Sequence, residues 1–410
     1  MLHSKLIDIL SVLDKKEMKL LAKFIYSPVY NQHKEVTALF DYLIGLDKFT
    51  EENLDKQLVY KKLFPKTSYD DLRLRHVISY LLRVCEDCLS FIEYRKEENQ
   101  NKINLLRAYR NRLLNKHFDN DLLLLKKATR GTAKKSANNY FSFAQINAEA
   151  FASSVAKEKP EVAYIEESDR ALNYYFLLSK LKNGCRQLIY NAANFAQQDL
   201  IKEVLSVVEK GNLNGYPEIE IYYCAYRAFE YPQEFSFYKL FKDKLSAHAL
   251  RLEQEELKEL FGLSIAFCKK QIEAKHSNFV RELFEIYLHG LASEALLKNE
   301  KMSFETQKSI VDIGLQLNEI SWVNDFITDS KQLTDKSIRD ELFRLNSAKV
   351  QYAKENYMAG LNLINEERFK STGILIEAQM LKLKILQKLN NNSQFKIENQ
   401  KLKTWLKSLS

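Results

Sequence analysis

Apolar side chains recur at every third or fourth position along almost the whole chain. The segment from Tyr69 to Glu97 is a clear example, because its apolar residues follow helical spacing: Leu72, Val77, Tyr80, Leu81, Val84, Cys88, Phe91 and Ile92. This spacing is typical of the buried face of an α-helix. No stretch shows the sustained alternation of β-branched residues that indicates a strand. The sequence therefore predicts an all-α protein, with more than about 65% of its residues in helices, twice the globular average.

Residues that interrupt helices are rare, which favours long uninterrupted elements. The chain has 10 glycines and 5 prolines among 410 residues, together under 4% of the sequence. In average proteins these two residue types make up roughly 12%. Asp14 and Glu17 have the spacing of a capping box at the start of a helix. The prolines lie where the apolar periodicity already breaks, so we expect them to separate helices and not to kink them: Pro28, Pro65, Pro160, Pro217 and Pro232.

The C-terminal part shows a regular spacing. Ser303, Ser337 and Ser371 follow one another at intervals of 34 residues (337 − 303 and 371 − 337), and each precedes a helical run. Serine is a favoured N-cap, because its side chain accepts hydrogen bonds from the free N–H groups of a first helical turn. A second helix is predicted to open within each interval, at Ser321, near Asn356 and at Ser393. Such helical hairpins bury their apolar faces by stacking on one another, so the pattern predicts an α-α superhelix, or solenoid.

The best single unit, Ser337–Lys370, resembles a tetratricopeptide repeat. Small residues Ala348 and Gly360 lie 12 positions apart, one on each predicted helix, with Tyr357 three positions before the second. The sequence departs from the family pattern at the positions of Arg344, Ser347, Thr372 and Ala378. A separate octapeptide, Phe24-Ile25-Tyr26-Ser27-Pro28-Val29-Tyr30-Asn31, is similar to an element of uncharacterised helical proteins of the Bacteroidetes type.

The resemblance implies a binding surface. In such repeats the first helix of each hairpin faces a concave groove that holds a peptide or protein, and the register places Leu345, Lys349 and Tyr352 there. Lys349 would contact an acidic group, and Tyr352 would stack on the peptide or hydrogen bond to it. The alternative is that Tyr352 belongs to the core and that Lys349 is merely solvated. The leading hypothesis is a non-enzymatic scaffold for protein–protein interaction.

A cluster of polar residues near Glu97–Asn101 and the start of regular hairpin spacing at Ser303 divide the chain into three parts. Residues 1–97 are predicted to form an N-terminal helical domain, residues 98–302 irregular helical hairpins, and residues 303–410 the tetratricopeptide-like repeats. Within the middle part, short breaks are predicted at Gly211–Pro217 and Tyr231-Pro232, and either a break or only a bend at Asn183-Gly184.

The positive charge suggests a second class of function. A net charge of +8 weakly favours acidic partners, including nucleic acid. Basic residues cluster between positions 107 and 135, with aromatic residues among them, and clustered cations with aromatic rings suit a phosphate backbone. The simpler interpretation is a solvated helix face followed by a lysine-rich loop. The residues of this alternative nucleic-acid site are Arg107, Arg110, Arg112, Lys126, Lys127, Arg130, Lys134 and Lys135.

Motifs for catalysis or metal binding do not emerge from the sequence. Cys85 and Cys88 form a C-x-x-C pair, but no second pair follows to complete a zinc site, so we expect two structural thiols. The dispersed glycines make no phosphate loop, and the seven histidines follow no metal-binding spacing. We therefore expect no enzymatic activity and no cofactor. Five cysteines without a disulfide pattern, no secretion signal and no long apolar run lead us to expect a cytoplasmic protein without a membrane span.

Overall fold

Helices make up almost all of the regular structure of this protein. The structure is a computed structural model that describes residues 2–131, 136–190, 200–211, 216–364 and 369–409. It is 77% helical, and 20 helices lie within these ranges, which confirms the all-α prediction. Contacts along the chain define two compact units, Met1–Lys127 with Gln145–Val162, and Ala128–Ala144 with Ala163–Ser410. The division at residues 97 and 302 rested on sequence patterns alone and stays a prediction.

The first unit is built around one long helix. Helix α5 (Asp71–Lys96) packs against α1 (Lys5–Val12), α2 (Lys15–Ile25), α3 (Lys34–Ile44), α4 (Lys56–Leu63) and α6 (Glu98–Asn111). The capping box at the start of α2 is confirmed, because the Asp14 carboxylate accepts hydrogen bonds from the N–H groups of Lys16 and Glu17, and Glu17 accepts one from Asp14. Two further helices, α7 (Asn115–Gly131) and α8 (Ala137–Ala156), contribute residues to both units.

The second unit is a succession of helices in which sequence neighbours pack together. Helix α9 runs without interruption through Gly184, where the sequence predicted a break or a bend. A Cβ atom added at this glycine would lie 2.8 Å from the ring of Tyr226, so Gly184 allows close packing against α11 and does not end a helix. Pro217 occupies the first turn of α11, as expected for a proline that separates two helices. The helices are α9 (Ala163–Ile189), α10 (Ile201–Lys210), α11 (Pro217–Glu230), α12 (Phe235–His248), α13 (Gln254–Glu273), α14 (Phe279–Ala292), α15 (Phe304–Gln316), α16 (Ile320–Asp329), α17 (Arg339–Ala353), α18 (Tyr357–Leu363), α19 (Thr372–Lys388) and α20 (Asn392–Leu409).

A short β-hairpin, which the sequence pattern did not indicate, precedes α15. Strand β1 (Leu297–Lys298) pairs antiparallel with β2 (Lys301–Met302). The two residues between them, Asn299 and Glu300, both have positive φ angles, of 50° and 61°. Two successive residues of this kind favour a tight two-residue hairpin turn. The strands are too short to show an alternating pattern, which explains why the sequence did not predict them.

Only the first of the three serines spaced 34 residues apart caps a helix with its side chain. Ser303 caps α15 by accepting a hydrogen bond from the N–H of Thr306 at 3.1 Å, as predicted. Ser337 instead donates to Asp335, and α17 begins two residues later at Arg339. Ser371 precedes α19 but its side chain makes no capping bond. Ser303 and Ser371 therefore lie at the N-cap positions of their helices as predicted, but only Ser303 caps with a side-chain hydrogen bond, and the prediction is wrong for Ser337.

A shared feature of α15, α17 and α19 is found at their C-termini. Each helix is followed by a residue with positive φ, namely Asn318, Glu355 and Asn390, at 61°, 62° and 54°. The N–H of the next residue donates to a carbonyl five residues earlier, at 2.9 to 3.0 Å, which is the 6→1 bond of a Schellman motif. We call these three positive-φ residues the stops of their helices. The intervals between the stops are 37 (355 − 318) and 35 (390 − 355) residues.

The close approach predicted between α17 and α18 is present. Ala348 is fully buried and Gly360 is also buried. A Cβ atom added at Gly360 would lie 3.4 Å from the carbonyl oxygen of Ala348 and 3.2 Å from Ile385 of α19. The two small residues therefore allow the backbones of this hairpin to approach each other, as the resemblance implied.

Candidate binding groove

Helices α15, α17 and α19 border a groove with a volume of about 480 Å³. We call it the α15–α17–α19 groove. The three helices are the first members of three consecutive helical hairpins, α15–α16, α17–α18 and α19–α20. The groove is lined by Asp312, Leu315 and Gln316 from α15, Lys349, Tyr352 and Ala353 from α17, and Glu377, Met380, Leu381 and Lys384 from α19.

An ion pair between a buried lysine and an aspartate that is 43% exposed connects the helices in the wall of the groove. The Lys349 side-chain nitrogen donates to Asp312 at 2.6 Å and lies 4.0 Å from a carboxylate oxygen of Glu377. Glu377 also accepts a hydrogen bond from Lys308. Lys349 is only 8% exposed, so its charge is largely removed from water and satisfied by these carboxylates. Lys349 is therefore a structural tie between helices.

The accessible part of the groove is largely apolar, with Lys384, which pairs with no described carboxylate, at one edge and the paired, partly exposed Asp312 at another position of the lining. Met380 is 47% exposed, whereas Tyr352 and Leu315 are half-buried. The ring of Tyr352 lies against that of Tyr357, with their centroids 5.6 Å apart. Lys384 is exposed at the edge and forms no ion pair with a described carboxylate. This combination can hold an apolar side chain beside a negatively charged group.

The three residues predicted to bind a partner have different environments. Tyr352 lines the groove. Leu345 does not, because it is fully enclosed in a core shared with Leu342, Ala348 and Ile385, so the prediction that it projects to the surface is corrected. Lys349 reaches the groove, but its ammonium group is already paired. Sequence reasoning missed Met380 and Lys384, because the last unit does not keep the register of the one before it.

The basic segment between residues 107 and 135 is partly neutralised. Arg107 and Arg110 donate to the two oxygens of Glu149, at 2.7 and 2.9 Å, and the Glu149 side chain is only 9% exposed. These two arginines are therefore partners of a buried carboxylate and not free phosphate ligands. Arg112 donates to the carbonyl oxygen of Ala108.

The rest of that segment offers fewer free cations than the sequence indicated. Lys126 is half-buried and Lys127 is exposed on α7. The side chain of Arg130, and Lys134 and Lys135, lie outside the described residues. With Arg107 and Arg110 paired, the described part of the segment gives little support to a phosphate site.

A second polar cluster lies on α9, α11 and α13 and had no signal in the sequence. Lys182 contacts Glu256 at 2.8 Å and Glu259 at 2.9 Å, and Arg186 contacts Glu259 at 2.8 Å. The buried hydroxyl of Tyr222 donates to Glu256 at 2.8 Å, and burial raises the pKa of this tyrosine well above its usual value. Two cations balance two carboxylates, so the arrangement resembles a structural ion-pair network.

The thiols of Cys85 and Cys88 are buried, as expected for structural residues. Burial, with smaller contributions from Cys88 and Glu86, raises the pKa of Cys85 to about 12, and burial also raises that of Cys88. The pKa of Cys268 is raised to about 12 and that of Cys224 to about 11, in both cases mainly by burial. Cys185 is buried as well. The thiolate, which is the reactive form, is therefore disfavoured at every cysteine.

All five thiols should be unreactive in the folded protein. At pH 8 a thiol with a pKa near 12 is a thiolate in about one molecule in ten thousand. We expect an aromatic disulfide reagent to label almost nothing in the native protein within minutes, and five equivalents in urea. Rapid labelling of one thiol in the native state would show that this cysteine is accessible and activated, contrary to its burial.

Two general properties complete the description of the candidate sites. Among the described residues, no group of three or more His, Cys, Asp or Glu side chains is arranged to hold a metal ion. No helix in the same ranges combines the length and the apolar character needed to cross a membrane.

Comparison with models of known protein families, with curated proteins and with solved structures gives no match.

Proposed function

We propose that this protein binds a segment of a partner protein in the α15–α17–α19 groove. The observation that carries the proposal is the composition of the groove. Its walls are formed by α15, α17 and α19, the first helices of three consecutive hairpins, and its accessible surface is largely apolar. Solenoids use such extended surfaces for recognition. A half-buried tyrosine and an exposed methionine are residue types enriched in protein interfaces.

Charge complementarity defines the segment that would fit. Asp312 and Glu377 are engaged by Lys349 and Lys308, whereas Lys384 at the rim has no described carboxylate partner. The partner segment therefore carries an apolar side chain, which rests on Tyr352 and Met380, and a nearby carboxylate, which pairs with Lys384. This assignment moves the acidic contact from Lys349, the residue expected from the sequence, to Lys384.

The test is selection of peptides followed by measurements on groove variants. Random 12-residue peptides displayed on phage are selected against the full chain, and the enriched peptides are titrated by fluorescence anisotropy. We expect them to combine Asp or Glu with an apolar residue. Tyr352→Ala and Met380→Asp should each weaken binding about tenfold or more, the effect of removing an interface anchor.

The matched control is Met358→Asp on α18. Met358 is 60% exposed and does not line the groove, so this variant introduces the same chemical change outside the proposed site. Its affinity should equal that of the wild type, and circular dichroism should show all variants folded. If the selected peptides bind the groove variants and the control equally well, the binding site is elsewhere and the proposal fails.

A further inference from the structure

A separate cavity of the second unit has an aromatic wall. Its volume is about 270 Å³, close to the lower end of the range of roughly 300–1,000 Å³ that is usual for ligand pockets. Its described lining belongs entirely to the second unit and shares no residue with the α15–α17–α19 groove. A cavity of this size and composition suits a small molecule that carries an aromatic ring. Four of its nine described lining residues are aromatic, namely Tyr140, Phe143, Tyr174 and Tyr216.

The tyrosine rings of this wall hold one another in place. The ring centroids of Tyr174 and Tyr216 are 3.7 Å apart, and that of Tyr140 lies 5.7 and 6.0 Å from them. Their hydroxyl groups are engaged, because Tyr140 donates to the buried Glu218 and Tyr216 hydrogen bonds to Tyr174. Burial, with a smaller contribution from the bond to Tyr174, raises the pKa of Tyr216 to about 12. The hydroxyl of Tyr216 is therefore neutral at physiological pH and adds no negative charge to the wall.

Arg170 supplies the uncompensated charge of this cavity. It lines the cavity from α9, is exposed, and forms no hydrogen bond or ion pair with any described residue. Its positive charge opposes the rise in the pKa of Tyr216, so its guanidinium lies near that side chain. The lining carboxylate, Glu167, is not free, so the charge left without a partner in the described lining is positive. We call the site the tyrosine–arginine cavity.

We propose that the tyrosine–arginine cavity binds a small aromatic carboxylic acid. The ring of the ligand packs on the aromatic wall, where offset and edge-to-face contacts between rings are favourable. Its carboxylate pairs with Arg170, since a guanidinium and a carboxylate can form two parallel hydrogen bonds. A neutral ligand would leave this guanidinium unpaired, and a cationic ligand would be repelled by it. A phosphate monoester has a charge of about −1.5 to −2 at neutral pH, which is more than one arginine balances.

The experiment titrates the full chain with phenylpropionate in an isothermal calorimeter, and we expect a dissociation constant of about 1 mM or lower. Phenylpropanol has the same ring and chain without the charge. It should bind about fivefold more weakly or worse, a loss between that of an exposed ion pair and that of a hydrogen bond to a charged group. Arg170→Gln should weaken phenylpropionate by a similar factor and remove most of the difference between the two probes. Tyr174→Leu should weaken both probes, because both use the ring.

Two further variants locate the binding site. Arg251→Gln removes an exposed arginine of the second unit that lines neither this cavity nor the groove, and it should keep the wild-type affinity. Phenylpropionate also has the chemistry proposed for the groove ligand, an apolar group beside a carboxylate. Lys384→Gln should nevertheless keep the wild-type affinity, because Lys384 does not line the cavity. Circular dichroism establishes that each variant is folded.

Several results would overturn this assignment. No binding at millimolar phenylpropionate would do so, and so would equal affinity of the wild type for phenylpropanol. Weaker binding in Lys384→Gln, with Arg170→Gln unchanged, would place the probe in the groove and would support the function proposed there while removing this site. A higher affinity for phenethylammonium than for phenylpropionate would show that the carboxylates of Glu167 and Glu218 select a cation.

Discussion

Replacing Arg107 and Arg110 together by glutamine should lower the free energy of unfolding of the first unit by about 3 kcal/mol. The reason is Glu149, whose two oxygens accept hydrogen bonds from these arginines and whose side chain is 9% exposed. Removing both partners leaves a buried carboxylate without compensation, and breaking a buried pair in this way costs about 3–5 kcal/mol. We take the lower end because Arg107 is 47% exposed.

A third substitution separates this explanation from a general loss of packing. Adding Glu149→Gln to the double variant removes the unpaired charge and should recover more than half of the lost stability. Unfolding in urea is followed by pulse labelling of thiols and mass spectrometry, since Cys85 and Cys88 lie in the first unit and report on it specifically. Unchanged labelling of these two thiols in the double variant would mean that the arginines are free surface cations after all.

Gly314→Ala should destabilise the second unit by about 1–3 kcal/mol, although alanine favours helix. An added Cβ at Gly314 would lie 2.5 Å from a methyl group of Val323 and 3.3 Å from the ring of Phe284. Valine is stiff about its first side-chain torsion, so it cannot easily turn away, and overpacking of a core typically has a cost of this size. Helix α15 would have to move away from α16.

Two other glycines provide the controls. Nothing lies within 4 Å of a Cβ added at Gly262, so Gly262→Ala should stabilise α13 by up to about 1 kcal/mol through helix propensity alone. Gly360→Ala should be nearly neutral, and Gly360→Leu should cost about 1–3 kcal/mol. Tryptophan fluorescence in urea measures all four, since Trp322 and Trp405 both belong to the second unit. Equal stability of Gly314→Ala and Gly262→Ala would show that the gap between α15 and α16 is wider than described.

Local patterns in the sequence were sufficient for the helices and for some of their ends. The apolar period of α5 and the capping box of Asp14 and Glu17 depend on residues within a few positions of each other, so they can be recognised without coordinates. The close approach at Ala348 and Gly360 was also accessible, because both residues belong to one hairpin. Features of this kind are governed by the geometry of single helices and neighbouring pairs.

The candidate sites were harder to predict, because they depend on contacts between distant residues. Glu149 is 39 and 42 residues from its two arginines in the sequence. The residues of the basic segment itself give no sign that Arg107 and Arg110 will pair with a buried carboxylate. The serine spacing of 34 was misleading because Ser337 does not lie at the N-cap of its helix, and Ser371, which does, makes no side-chain capping bond. The interval of 37 between the stops of α15 and α17 also separates Asp312 from Lys349, a pairing that the expected period of 34 would not have suggested.

The stops at Asn318, Glu355 and Asn390 have a consequence for how this chain tolerates insertions and deletions. Each stop depends on backbone hydrogen bonds within the last turn of its own helix, so the helix ends there whatever length of chain follows. Residues added to the next loop would add only the small entropy of a longer loop. The difference between 37 and 35 residues in adjacent hairpins shows this latitude within one protein. Hairpins built in this way can drift in length over generations while the helix faces that meet one another stay the same.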